Sequence, residues 1–139
     1  MSAAQLAALL VGIPLGLSAI MAVAWWVAMK TERSGFVDGI WSLCTATGGV
    51  VAALGGGPLT TRALIVAAMA AFWGLRLGAY LMNRAAESED PRYAALKRQW
   101  GDQASRRLFV FLQVQAVAAL PLVLTMGLAA RAPRAGLDW

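Results

Sequence analysis

The sequence predicts an all-α integral membrane protein with four transmembrane helices. Three observations carry that prediction. The 139 residues are 60% hydrophobic, where a soluble domain is nearer half apolar. The excess is blocked: residues 1–29, 39–61 and 108–130 contain no charged side chain, and 63–83 contain only Arg76. Each block suffices for a hydrocarbon core about 30 Å thick, which takes about 20 helical residues. The helices are expected over residues 4–29, 36–55, 61–83 and 108–130, with a connecting segment at 84–107, all in one transmembrane domain 1–139.

The first block reads as a retained helix. A cleaved signal peptide has a basic start and a short apolar core, whereas here no Lys or Arg precedes Lys30 and the run is long. Pro14 within it is tolerable in a membrane helix. The second helix ends at "GGGP", 55–58. Three glycines suggest a phosphate cradle, but no P-loop Lys and Ser/Thr follow and no Rossmann spacing surrounds them. A tight turn is the simpler reading. The third helix carries "WGLRLGAYLMNR", 73–84. Gly74, Gly78 and Ala79 in it are small enough to let another helix approach closely. On the fourth helix Gln113 and Gln115 lie about 200° apart, so they cannot share a face, and at least one is expected to bond another helix.

The segment 84–107 is the most polar part of the chain. Asp90 and Pro91 have the form of an N-cap followed by a first helical residue. Tyr93, Leu96 and Trp100 follow at spacings that share one face, which predicts a short amphipathic helix at the membrane interface.

The net charge is +5 with a sequence pI of about 10.4. In a membrane protein such a balance reflects topology, and a nucleic-acid role is not indicated. Lys30 and Arg33 fall in the first connection, and Arg84, Arg92, Lys97, Arg98, Arg106 and Arg107 in the third. The positive-inside rule then places 30–35 and 84–107 in the cytoplasm and the N-terminus on the outer side of the membrane. The absence of histidine excludes His-based catalysis and His metal ligation within the chain, and the lone Cys44 forms neither an internal disulfide nor a CxxC site. No metal site is expected.

Two charges within the expected helices are the candidate functional groups, because each costs about 2.5–3.5 kcal/mol at mid-membrane unless it faces protein or water. Asp38 shares a face with Ser42 and Thr45, flanked by Trp41. Arg76 shares a stripe with Phe72, Trp73, Tyr80 and Asn83. An Asp38–Arg76 ion pair across a hollow between the second and third helices accounts for both charges. The plainer alternatives are an Arg76 that snorkels to the headgroups and an Asp38 that stands at a positive helix N-terminus.

"RSGFVDGIWSL" (33–43), "WGLRLGAYLMNRAAESEDPRYAALKRQWG" (73–101) and "FLQVQAVAALPL" (111–122) together resemble the bacterial membrane proteins of unknown function placed with the steroid 5α-reductase superfamily. The resemblance runs from about residue 33 to 139, and the middle block is its most specific part. It implies a seven-helix fold of which this chain forms the first four helices, ending as a fifth should begin. It also implies an NADPH-dependent reductase of the C=C bond of an enone lipid or steroid-like substrate, inactive alone. Residue by residue, Arg76, Asn83 and Arg84 resemble cofactor-binding positions. Asp38 and Tyr80 resemble catalytic groups that polarise the substrate carbonyl, and Trp41 and Trp73 stand as its apolar walls. The "HPxY"-type segment and further cofactor residues of the family's second half are not in this sequence. Membrane lipid, a hydrophobic substrate, and a downstream C-terminal polypeptide or a second copy are the implied partners. A non-enzymatic scaffold or binding subunit, and an oligomeric transporter with Asp38 as coupling carboxylate, are the alternatives.

Overall fold

A computed structural model describes residues 2–133. The expectation of a new helix starting near Trp139 therefore lies outside the described residues. Helix α1 is Ala3–Thr31, α2 Phe36–Leu54, α3 Thr61–Glu87, α4 Pro91–Trp100 and α5 Ala104–Arg131, with a single turn of 3-10 helix at Gly101–Gln103 between the last two. Among the described residues there is no strand. Four helical stretches are long and apolar enough to cross a membrane, which makes this a multi-pass membrane protein.

The helix starts follow side-chain chemistry. Ser2 and Gln5 form a reciprocal capping box, Ser2 N donating to Gln5 Oε1 at 2.8 Å and Gln5 N to Ser2 Oγ at 3.2 Å. Thr60 caps α3 through Ala63 N at 3.1 Å. Asp90 caps α4 through Arg92 N at 2.9 Å, with Pro91 in the first turn. α3 continues four residues past the expected 83, and α5 starts four before 108. Loss of hydrophobicity marks the edge of the bilayer. It does not end a helix where Ala, Arg and Glu continue the chain.

α2 is the central element and touches α1, α3 and α5. It is rich in small residues, so the packing is close. A Cβ on Gly39 would meet Met82 Sδ at 2.7 Å, and one on Gly48 would meet Val123 Cγ2 at 3.0 Å. On α3, Gly74 lies directly against Ala46, and a Cβ on Gly78 would meet Leu43 at 2.7 Å. Such small-residue contact drives association in lipid, where apolar burial gives little. Buried α1 residues Leu17, Met21 and Ala24 pack with Leu108, Leu112 and Ala116 of α5.

Hydrogen bonds fix register. Ser18 Oγ donates to Gln113 Oε1 at 2.6 Å, joining α1 to α5, an interaction worth about 0.6 kcal/mol on average in a membrane. Gln113 thus takes the interhelical role expected of one glutamine, while Gln115 serves through its backbone carbonyl, which accepts from Trp41 Nε1 at 3.0 Å. Trp25 Nε1 donates to Ser105 O at 2.9 Å.

Candidate functional site

The charges gather at one end of the bundle, where α1 ends, α2 begins and α3 turns into α4. Asp38, in the first turn of α2, is held from α4. Arg92 Nη2 lies 2.6 Å from Asp38 Oδ2, and Tyr93 donates its hydroxyl to Asp38 Oδ1 at 2.7 Å. The same Arg92 nitrogen donates to Asp90 Oδ2 at 2.9 Å, so one guanidinium bridges two carboxylates. Arg84 adds a longer contact to Asp90 at 3.5 Å. Glu89 completes the cluster. Its Oε1 accepts from Ser34 N at 2.8 Å and Asp90 N at 2.9 Å, and Lys97 Nζ reaches its Oε2 at 2.7 Å. Arg33 donates to the Ala86 carbonyl. Three acids and four basic residues thus tie the α1–α2 connection and the start of α2 to the α3–α4 connection and α4.

Burial sets what this cluster contributes. Arg92 is 66% exposed, so its ion pair is screened and worth about 0.2–1 kcal/mol. Tyr93 is buried at 5% exposure, packed edge-on against Phe111 with ring centroids 6.4 Å apart. Its bond to a carboxylate belongs to the stronger class, about 1.5–3 kcal/mol. Trp100 also packs on Phe111, at 6.3 Å. The expected Tyr93–Leu96–Trp100 face of α4 is therefore seated on α5 at its two aromatic ends.

The acid–base properties follow from these contacts in α4, ahead of the apolar run that starts at Leu108. Hydrogen bonding from Arg92 holds Asp90 below the usual aspartate range, against a smaller opposing effect of burial. Bonds to Asp90 and then Asp38 hold Arg92 still more firmly protonated. Burial, then the bond to Asp38, pushes Tyr93 well above the ordinary tyrosine value. A folded value raised above the unfolded one gives stability that is complete below about pH 10 and is lost as pH rises through the folded value. Tyr93 should thus contribute no tyrosinate absorbance while the fold holds. The parent and Tyr93→Phe should give equal native absorbance at about pH 11, and should differ by one tyrosinate after unfolding. A native difference would show that the phenol is not buried.

The structure divides the expected site residues into three places. Asp38 and Arg84 come together in a polar pocket of about 250 Å³ that is also lined by Glu89 and Asp90. Arg76, Trp73 and Tyr80 lie elsewhere, in a groove of about 480 Å³ formed with Phe72 and Leu77 on the outer face of α3. Asn83 is exposed toward the end of that stripe. Trp41 is in neither pocket. It packs against the core, with its indole N–H satisfied by α5.

The expected Asp38–Arg76 ion pair is therefore not formed. Arg92 is the partner of Asp38, and Tyr93, not Tyr80, is its hydroxyl donor. No hollow between α2 and α3 holds the two charges together: the pocket at Asp38 excludes Arg76, and farther along the helices meet directly. α3 turns Gly74 and Gly78 toward α2, and at 100° per residue this face is roughly 160° from Arg76. Tyr80 is 62% exposed on the far side. Arg92, Tyr93 and Glu89 were missed because they belong to the polar segment, where charge is ordinary. The available signal was Tyr93 on the apolar face of an amphipathic helix next to an arginine.

No curated protein and no solved structure gives a significant match. Residues 24–138 match the family described as "Protein of unknown function (DUF1295)". Running from the last turns of α1 through α5, that match covers more than half of the chain and shows that the chain belongs to the DUF1295 family.

Proposed function

We propose that the chain is the substrate-side portion of a membrane reductase that uses NADPH to reduce the C=C bond of an enone lipid or steroid-like molecule. The observation that carries this reading is the outer face of α3. It presents Arg76, Trp73 and Tyr80 away from the bundle, with Arg76 about 10 Å below Asn83 along the axis. Among the described residues no carboxylate lies within 4 Å of Arg76. A guanidinium at this depth calls for an anionic counterpart supplied from outside these helices.

The donor chemistry on that flank fits a dinucleotide's phosphates. Arg76 offers a planar fork suited to phosphate, and the exposed Asn83 follows two turns on along the same stripe. Bound NADPH supplies the hydride. Trp73 and Tyr80 give flat surfaces for the substrate beside Arg76. Further polypeptide packed on the α3 face, from this or another chain, closes the site. The resemblance over residues 33–139 supports the cofactor and the bond reduced.

The test is an NADPH fluorescence titration on the purified chain in lipid nanodiscs and on the assembly recovered from its own membrane. Saturable binding weakened about tenfold or more by Arg76→Ala is expected, the loss of one charge-assisted contact. No binding in either preparation would reject the reading. The same exposed face also suits a non-enzymatic subunit that docks an acidic helix. In that case Arg76→Ala would abolish co-purification of a partner, and NADPH would not bind.

A further inference from the structure

The opposite end of the bundle holds a second groove, unrelated to the cluster around Asp38. It runs between the first half of α1 and the last third of α5 and encloses about 290 Å³. Leu10, Ile13, Leu124 and Leu128 are among its walls, Gly127 lies along it, and Arg131 is its one charged residue. From Leu120 to Leu128 the α5 wall is about 12 Å long. The apolar walls are open to the bilayer: Leu10 is 53% exposed and Leu128 71%.

Arg131 is fixed at the mouth of this groove. Its Nη2 donates to Ala52 O at 2.7 Å and its Nη1 to Gly127 O at 3.0 Å. The two carbonyls pin the guanidinium to the ends of α2 and α5. A guanidinium has five N–H donors, so three remain to bind something else. Among the described residues no carboxylate lies within 4 Å of it. Arg62 Nη1 reaches Ala132 O at 3.2 Å, which brings a second cation to the same helix end. By the charge count of the connections, this is the cation-poor side of the protein, so these arginines do not serve the orientation signal.

We infer that this groove is a binding site for one anionic glycerophospholipid of the adjacent leaflet, with an acyl chain between α1 and α5 and its phosphate on Arg131. Three features select this occupant. A narrow, wholly hydrocarbon channel open to lipid along its length suits a flexible chain. The groove's one charged residue, Arg131, stands at the helix end, where headgroups lie, with Arg62 nearby. The guanidinium is preorganised by backbone carbonyls, so little side-chain entropy is lost on binding phosphate.

Native mass spectrometry of the purified chain, equilibrated with phosphatidylglycerol, tests the site. One phosphatidylglycerol should remain bound under activation that strips all phosphatidylcholine. Arg131→Gln should reduce that retained fraction about fivefold, matching about 1 kcal/mol per surface cation. Leu124→Trp, which fills the groove and leaves Arg131 in place, should reduce it as much. Arg106→Gln, at the other end, should have no effect. Circular dichroism confirms that each variant is folded, and if Arg131→Gln fails that check, Leu124→Trp decides. Equal retention by the parent and Leu124→Trp would overturn the proposal. So would equal retention of phosphatidylcholine, or displacement by an equimolar free fatty acid.

Discussion

Gly74→Ala should destabilise the protein by about 2–3 kcal/mol, while Gly12→Ala should leave it unchanged or slightly more stable. The two substitutions add the same methyl group to a membrane helix. At Gly74 the new Cβ runs into the Ala46 Cβ, with the Ser42 carbonyl oxygen 3.3 Å away and the Ala46 Cα at 3.6 Å. None of these is the movable end of a long side chain, so α2 and α3 must part. Overpacking that cannot relax sits at the upper end of the usual 1–3 kcal/mol. Parting the helices also loosens the contacts at Gly39–Met82 and Gly78–Leu43. At Gly12 nothing lies within 4 Å, and removing glycine restricts the unfolded chain, a gain of about 0.4–1 kcal/mol. Reversible unfolding in mixed micelles of graded SDS content would measure both. Equal effects would mean that α2 and α3 are not in direct contact.

Asp38→Ala should cost about 3 kcal/mol and release α4 from the bundle. The change leaves the Tyr93 hydroxyl buried without its acceptor and frees Arg92 from one of its two carboxylates. The first effect dominates, because an unsatisfied buried donor carries its full desolvation penalty. Asp38→Asn keeps an acceptor for Tyr93 and should cost only about 1 kcal/mol. Tyr93→Phe removes the donor itself and should cost about 1.5 kcal/mol, the low end for a bond to a carboxylate, because Asp38 keeps Arg92. The double variant Asp38→Ala, Tyr93→Phe should then be less destabilised than the two single effects combined, as for two partners in one bond. Hydrogen exchange over Pro91–Trp100 gives the local readout. Unchanged protection there in Asp38→Ala would show that the cluster does not dock α4.

These two results bear differently on the proposed reductase. Gly74 sets the face that α3 turns outward, and hence where Arg76 stands. Asp38 sets the seating of the polar end. Arg76→Ala should affect neither stability readout strongly, because its side chain is exposed on α3. A loss of NADPH binding in that variant would thus report on the ligand and not on folding.

Much of the architecture was legible from residue order. Uncharged blocks of sufficient length determine four spanning helices because a bilayer admits only backbone that is bonded within its own segment. The Asp90–Pro91 start of α4 was equally legible, since a cap is local chemistry. The partner of Asp38 was not, because Arg92 and Tyr93 lie 54 and 55 residues away in sequence. The sequence offered α3 two candidate inward faces, one of small residues around Gly74 and Gly78, the other polar and aromatic around Arg76. Periodicity identifies both and ranks neither. Only the tertiary structure decided between them: in lipid, burying apolar surface gives little advantage, so the face permitting closest contact turned inward. That choice left the charged stripe facing out and Asp38 to be held from α4.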